Sequence, residues 1–341
     1  MEKKSMKYNV DLSKATMQKI CLCDCSYLKD GVDQFLSYMK NIKHDDLSYQ
    51  YILPLYEEAS RLIIGKIYHY TNANALLNIL KSGSIKETFT MRLSRVDYMN
   101  DIYDGKDVFD LIFKECINNE QNNLSKNFNQ YLIDHVKSLD EGQFIDASSR
   151  EVSYVSSFTI DGDSLPMWRN YTNNGGGYNI ALNPDKLWDY CIRTHDMALI
   201  PVVYEYDVMV SILNAIFSAF SLMWESDPEN ASKLKIVLFR YMMLAKLSFK
   251  HPSFSHEQEI RLIKFEPRIV GINQKEKYTV AGGIMRPYIE VKLSKELFLG
   301  VTVGPLLEAD VAKRTVENAL NAYDSWSGSC KVEISSAPIR F

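Results

Sequence analysis

Cysteine, glycine and proline are all scarce in this chain, at 6, 15 and 10 of 341 residues. So little glycine and proline leaves no flexible linker and no low-complexity tract, which excludes collagen-like and Pro/Gly-rich disordered chains. The cysteines stand at positions 21, 23, 25, 116, 191 and 330. None makes a Cys-x2-Cys pair, so no metal is expected, and in a chain without an export signal they read as reduced thiols. Cys21, Cys23 and Cys25 would share one face of a strand, which explains their alternation without a ligand. Neither sign of charge prevails, since Lys+Arg 39 against Asp+Glu 43 gives −4. A basic coat for nucleic acid is thereby excluded, although a local basic groove is not.

Signals for export and for membranes are missing as well. Polar sequence follows Met1-Glu2-Lys3-Lys4-Ser5, so a secretory leader is not expected. The longest uncharged apolar stretch, Val208 to Trp224, is interrupted by Ser211, Asn214, Ser218 and Ser221. It falls short of the ~20 residues that cross a bilayer. A buried helix is expected there, in a cytoplasmic protein with no membrane partner. Two catalytic signatures are absent too. There is no G-x-S-x-G elbow, and Gly175-Gly176-Gly177 lacks the G-x-x-x-x-G-K-[ST] pattern of a P-loop.

What is present is an ordinary globular composition, 46% apolar and 24% charged. Residues 1–65 carry apolar positions three and four apart in Val32–Met39 and Ser48–Ile64 and are expected to be mostly helical. A β-branched and aromatic run, Ile63 to Tyr70, then reads as a strand. Thr71-Asn72 caps a short helix, Ala73 to Leu80, and Gly83 suits a left-handed stop. Asp107 to Leu139, Val208 to Trp224 and Pro228 to Lys250 read as helices. Strands are expected at Val152–Thr159, Tyr178–Leu182, Ala198–Tyr206, Glu259–Phe265, Tyr288–Val291, Leu297–Val303 and Val332–Ser335, with a helix from Leu307 to Ala322. The pattern is α+β, a sheet assembled from distant segments with helical insertions.

Four clusters can carry chemistry. His69, in Tyr68-His69-Tyr70-Thr71, stands where a strand meets a helix N-terminus, and it suits either a ribose hydroxyl or a satisfied core position. In Ser156-Ser157-Phe158-Thr159, alternation puts Ser157 and Thr159 on one face, where hydroxyls need partners. Trp168 and Tyr171, three apart on a helix beside the triple glycine, can stack on a flat ring or anchor a core. Glu257 and Glu259, two apart on a strand, suit oxocarbenium chemistry, one steadying positive charge and the other taking a proton. Arg261 extends the same face and can hold one carboxylate. The same set also fits a salt-bridged edge strand.

These residues, with Ile79-Leu80-Lys81-Ser82-Gly83, Asn100-Asp101, Ser157-Phe158, Met167-Trp168, Gly177 and Leu299-Gly300-x-x-x-Gly304-Pro305, occur in an order that resembles a widespread bacterial family of unknown function. Some of its members are linked to abortive phage infection. The likeness runs from about Lys66 to Pro305, and its pattern is in turn similar to the ADP-ribosyltransferase fold. The resemblance implies a split sheet over 66–341 with helical insertions near 107–139 and 208–250, and NAD as a substrate. It implies that His69, with Tyr70 and Thr71 beside it, holds the adenine-side ribose and that Ser157 supports the nicotinamide pocket. Tyr171 or Trp168 would stack on the nicotinamide, Glu259 would bond its ribose, Glu257 would activate the acceptor, and Arg261 would complete the motif. The implied protein is a toxin or antiphage effector that modifies a nucleic acid or a protein, with an antitoxin or phage-derived partner. Two other readings fit the residues: a nuclease or phosphodiesterase using His69, Glu257 and Glu259, and a non-catalytic sensor whose motifs hold the structure together.

Overall fold

The computed structural model describes residues 65–338 apart from 85–86, 100–101, 120–123, 141–150, 195, 227–230, 268–275, 282 and 324–329. The N-terminal segment expected to be mostly helical, the Cys21/Cys23/Cys25 cluster and Asn100-Asp101 lie outside the described residues. Ile67–Thr71 forms β1, and the Asn72 side chain accepts the Ala75 N–H at 2.9 Å to start α1, Ala73–Ser82. Gly83 ends that helix with φ −85, not in the left-handed region. Its N–H reaches the carbonyls of Leu80 and Lys81, so the closing turn needs no positive φ.

The remaining strands are β2 (Thr88–Arg95), β3 (Glu151–Thr159), β4 (Tyr178–Leu182), β5 (Met197–Pro201), β6 (Glu259–Pro267), β7 (Lys277–Ala281), β8 (Ile284–Ser294), β9 (Phe298–Val303) and β10 (Lys331–Ile334). They form one mixed, mostly antiparallel open sheet in the order β10-β9-β4-β1-β3-β2-β8-β7, with β6 paired to β3 and β5. β10 runs parallel to β9. The helices are α2 (Ile102–Asn118), α3 (Lys126–Asp140), α4 (Leu165–Tyr171), α5 (Pro184–Thr194), α6 (Tyr206–Ser226), α7 (Ala231–Ser248) and α8 (Ala309–Ala322). The helix expected over 107–139 is thus two helices, α2 and α3.

β3 is the hinge of the sheet. One of its edges pairs with β6 over its whole length, from Glu151↔Pro267 to Thr159↔Glu259. The other edge is shared. β2 pairs with Tyr154 and Val155, β1 meets Thr159, and the sheet forks between them. Strand alternation assigns the two faces. Val155 and Ile263 point into a core with α2, α3, α6 and α7, so the two helical insertions form a single layer. Phe158, Ile260 and Leu262 point into the other core, with α1, α5 and α8. α6 is long and apolar enough to cross a membrane by composition, but its Ile212, Leu213, Ile216, Phe217 and Phe220 are fully enclosed in the first core.

Candidate active site

After α7 the chain makes one parallel bridge, Val203↔Phe249, fixed by Lys250 N–H to the Val203 carbonyl at 3.1 Å. A 3-10 turn, Pro252–Glu257, follows, and Gln258 takes a left-handed conformation (φ 44, ψ 52) before β6 opens at Glu259. Glu257 and Glu259 therefore do not share a strand, as the spacing of two suggested. They converge because Lys250 lies between them, its Nζ 2.5 Å from Glu257 Oε2 and 3.2 Å from Glu259 Oε2. Arg261 grips Glu259 with two prongs, Nε to Oε1 at 2.9 Å and Nη2 to Oε2 at 3.0 Å, and gives Nη1 to the Leu247 carbonyl at 2.7 Å. The Tyr171 hydroxyl donates to Glu257 Oε1 at 2.8 Å.

All four ions are buried, with Lys250 at 1%, Glu257 at 4%, Glu259 at 5% and Arg261 at 6% exposure. Two acids and two bases cancel, which is what lets so much charge leave water. Burial alone would raise the Glu259 carboxyl, but Arg261 and Lys250 overcome it, helped by hydrogen bonds from Arg261 and Ser157, and hold it at about 2. Glu259 is therefore ionised at neutral pH, suited to facing positive charge and unsuited to donating a proton.

Ser157 joins this cluster to the fork. Its hydroxyl is on the Glu259 face of the sheet and helps to lower that carboxyl, and its carbonyl lies 2.9 Å from His69 Nδ1. A carbonyl only accepts, so Nδ1 carries the proton and Nε2 is left as an acceptor. Burial lowers the His69 pKa against that bond, keeping the ring neutral. A ribose hydroxyl would thus donate to His69, the reverse of a histidine acting as donor. The ring lines a cleft of about 150 Å³ in the fork, with Asn78, Ser82, Thr90, Arg92 and Glu290. The pairs Tyr68↔Thr159 and His69↔Ile180 put His69 on the α1 side of the sheet, whereas Ser157, Glu259 and Arg261 face the other way. The three motif strands are neighbours, and the bond through the Ser157 carbonyl crosses between the faces.

The other expected residues are packed rather than open. Tyr70 is buried, donates to the Asp161 carbonyl at 2.9 Å and meets the Trp168 ring edge-on with centroids 4.7 Å apart. Thr71 is buried at the end of β1. Trp168 is fully enclosed, with Nε1 donating to Asp163 Oδ1 at 2.8 Å, while Tyr171, the last residue of α4, is 39% exposed. The two aromatics do not share an environment, because a helix of seven residues ends before its outer face can close over Tyr171. Lys250 is the residue the spacing of motifs misses. Among the described residues no group of three His, Cys, Asp or Glu side chains is placed to hold a metal ion.

A family model described as "Protein of unknown function (DUF2971)" matches residues 167–262. Over that span, from α4 into β6, the chain is similar to a family without an assigned function. The span holds Trp168, Tyr171, Lys250 and the Glu257–Glu259–Arg261 set, while His69 and Ser157 precede it. No curated protein and no solved structure matches the chain.

Both titrating groups make acid the destabilising direction. A histidine with a lowered pKa loses stability as pH falls below the unfolded value of 6.5. Glu259 contributes fully above 4.5 and loses its contribution as pH falls toward about 2, about 3 kcal/mol by linkage. Urea unfolding across a pH series should show stability declining in two stages, and His69→Gln should erase only the upper one. A flat profile from pH 7 to 5 would contradict a neutral His69.

Proposed function

We propose that this protein is an ADP-ribosyltransferase-like enzyme that consumes NAD and modifies a nucleic acid or protein, acting as a toxin or antiphage effector. The observation that carries the reading is the link through Ser157. Residues 88 apart in sequence, His69 and Ser157, meet at the fork through the Ser157 carbonyl, and Glu259 stands on the adjoining strand, on the face that the Ser157 side chain shares. In that reaction the bond between the ribose anomeric carbon and nicotinamide breaks, and its electron pair leaves with nicotinamide. The acceptor's lone pair then bonds the same carbon and its proton is taken up. Glu259, held ionised, faces the positive charge that develops on the ribose. Glu257 takes the acceptor proton, its carboxylate held in place by the hydroxyl of Tyr171, the half-open residue over it. The neutral His69 accepts from a ribose hydroxyl in the fork.

The test is to incubate the protein with labelled NAD and a cell lysate, then separate protein, RNA and DNA. Retained label with nicotinamide release is the expected result. Glu259→Gln should abolish both, but it also strands two buried cations, so a milder variant is needed beside it. Tyr171→Phe removes one hydroxyl from a half-exposed ring and should cost about 1 kcal/mol of stability. It should lower the rate of NAD consumption about tenfold or more. Intact NAD in every fraction would overturn the reading. One observation favours a second reading, a sensor or partner-binding protein: the cluster is charge-balanced and its ions satisfy one another. Undiminished cellular activity of a Glu257→Gln, Glu259→Gln double variant that still folds would select it.

A further inference from the structure

The outer face of β2, β8 and β7 carries a row of cations. The pairs Thr90↔Lys292, Arg92↔Glu290, Lys277↔Tyr288 and Thr279↔Arg286 put Lys292, Arg92, Lys277 and Arg286 on one face with a single acid, Glu290. Directly opposed residues project the same way. The alternate residues Phe89, Met91, Leu93, Ile289, Val291 and Leu293 are buried in the core below, so this face looks outward. Glu290 is already paired with Lys277, Nζ to Oε2 at 2.6 Å. The Arg92 guanidinium lies over the Tyr288 ring, 4.6 Å from its centroid, which restrains its direction. Four cations against one acid stand out in a chain with net charge −4. From Lys292 to Arg286 the row spans about 20 Å of strand, and diagonal neighbours lie about 7–8 Å apart. It passes the mouth of the fork, because Arg92 and Glu290 also line the cleft with His69.

We propose that this row binds the phosphates of a single-stranded nucleic acid and is the docking surface of the acceptor. The acceptor role rests on the transferase reading; the binding itself needs no NAD. A protein partner would want an apolar centre, and the exposed Tyr278, Val280 and Met285 of the same hairpin project from the opposite face. Only Ile284, at the tip, lies on the cationic side among the described exposed apolar residues. One row of cations matches one backbone, not two.

Fluorescence anisotropy of the full chain with labelled oligo-dT and oligo-U strands, without NAD, tests this. Binding should weaken with salt with a log–log slope of about −2 to −3, as about three to four neutralised phosphates require. Arg92→Gln with Lys292→Gln should weaken binding about tenfold or more and flatten the slope by about 1 to 2, at an unchanged melting temperature. Wild-type binding and slope in that variant would overturn the proposal, as would tighter binding of a blunt duplex. Strand binding with NAD-derived label on protein alone would overturn the acceptor role. Strand binding with NAD left intact would sink the transferase reading and uphold the surface.

Discussion

Lys250→Met is expected to lower unfolding stability at neutral pH by about 3–5 kcal/mol, the cost of leaving buried charge unpaired. Methionine preserves most of the volume, so the loss is electrostatic rather than a cavity. Lys250 is 1% exposed and touches both carboxylates, and no other cation reaches Glu257 within 4 Å among the described ion pairs. Without Lys250 the two acids face each other with Arg261 as their remaining counter-charge. Lowering the pH toward 5 should then restore part of the stability, as one of the pair takes up a proton. The wild type should lose stability over the same range. Adding Glu257→Gln to Lys250→Met should recover about 2–3 kcal/mol, a coupling that independent sites do not give. Chemical denaturation of the four forms measures it, and simple additivity would mean that Lys250 and Glu257 are not held together in solution. Buried ion clusters rarely outperform well-packed apolar side chains in stability. The reason for keeping two acids and two bases here therefore has to lie in what the site does.

The sequence discloses the residues of this cluster more readily than their arrangement. The spacing Glu257-x-Glu259-x-Arg261 points to convergence, and convergence is found, but by a turn that Gln258 closes in a left-handed conformation rather than by strand alternation. The ion pair of Glu259 with Arg261 does follow from alternation, because both sit on β6 and project to one face. Lys250 is silent in the sequence. It lies two residues past the end of α7 and seven before Glu257, and only the bridge between Val203 and Phe249 aims it inward. Ser157 and Thr159 face the way their alternation implies, and the unpaired stretch between them and β2 is what makes room for His69. Trp168 shows the limit of periodicity: three residues from Tyr171 on a helix, yet enclosed by Tyr70 of the distant β1 and by Asp163 just ahead of the helix. The cationic row is invisible for a related reason. Arg92, Lys277, Arg286 and Lys292 are scattered over two hundred residues of an acidic chain, and only the strand register of β2, β8 and β7 lines them up. β2 itself has a readable period, Phe89, Met91 and Leu93, masked by the arginines between and after them.

Gly304→Ala is expected to be nearly as damaging, about 3–5 kcal/mol, and to act on the site from outside it. A methyl group there would stand 2.5 Å from the Gly175 carbonyl oxygen, 2.7 Å from that of Gly177 and 3.1 Å from the Trp168 ring. The first two are backbone atoms, so no side-chain rotation relieves them. The same carbonyls accept the Leu306 N–H at 3.2 Å and the Gly304 N–H at 2.8 Å, and pushing the loop away forfeits both bonds. Overpacking of about 1–3 kcal/mol adds to about 1 kcal/mol for each bond lost. The loop is tied to α4, since Gly175 N–H donates to Thr172 Oγ1 and that hydroxyl donates to the Trp168 carbonyl. Displacing it therefore moves Tyr171 off Glu257 and should reduce NAD consumption in parallel with stability. Gly283→Ala is the contrasting case. It has open space around it and a positive φ of 77, so backbone strain of about 1 kcal/mol is the whole of its cost. Thermal unfolding of the two variants side by side separates the effects: equal losses would mean that the contact of β9 with the glycine loop is not as close as 2.8 Å. The glycine that ends β9 is thus required by two carbonyls and a tryptophan, and through them it fixes the hydroxyl that rests on Glu257.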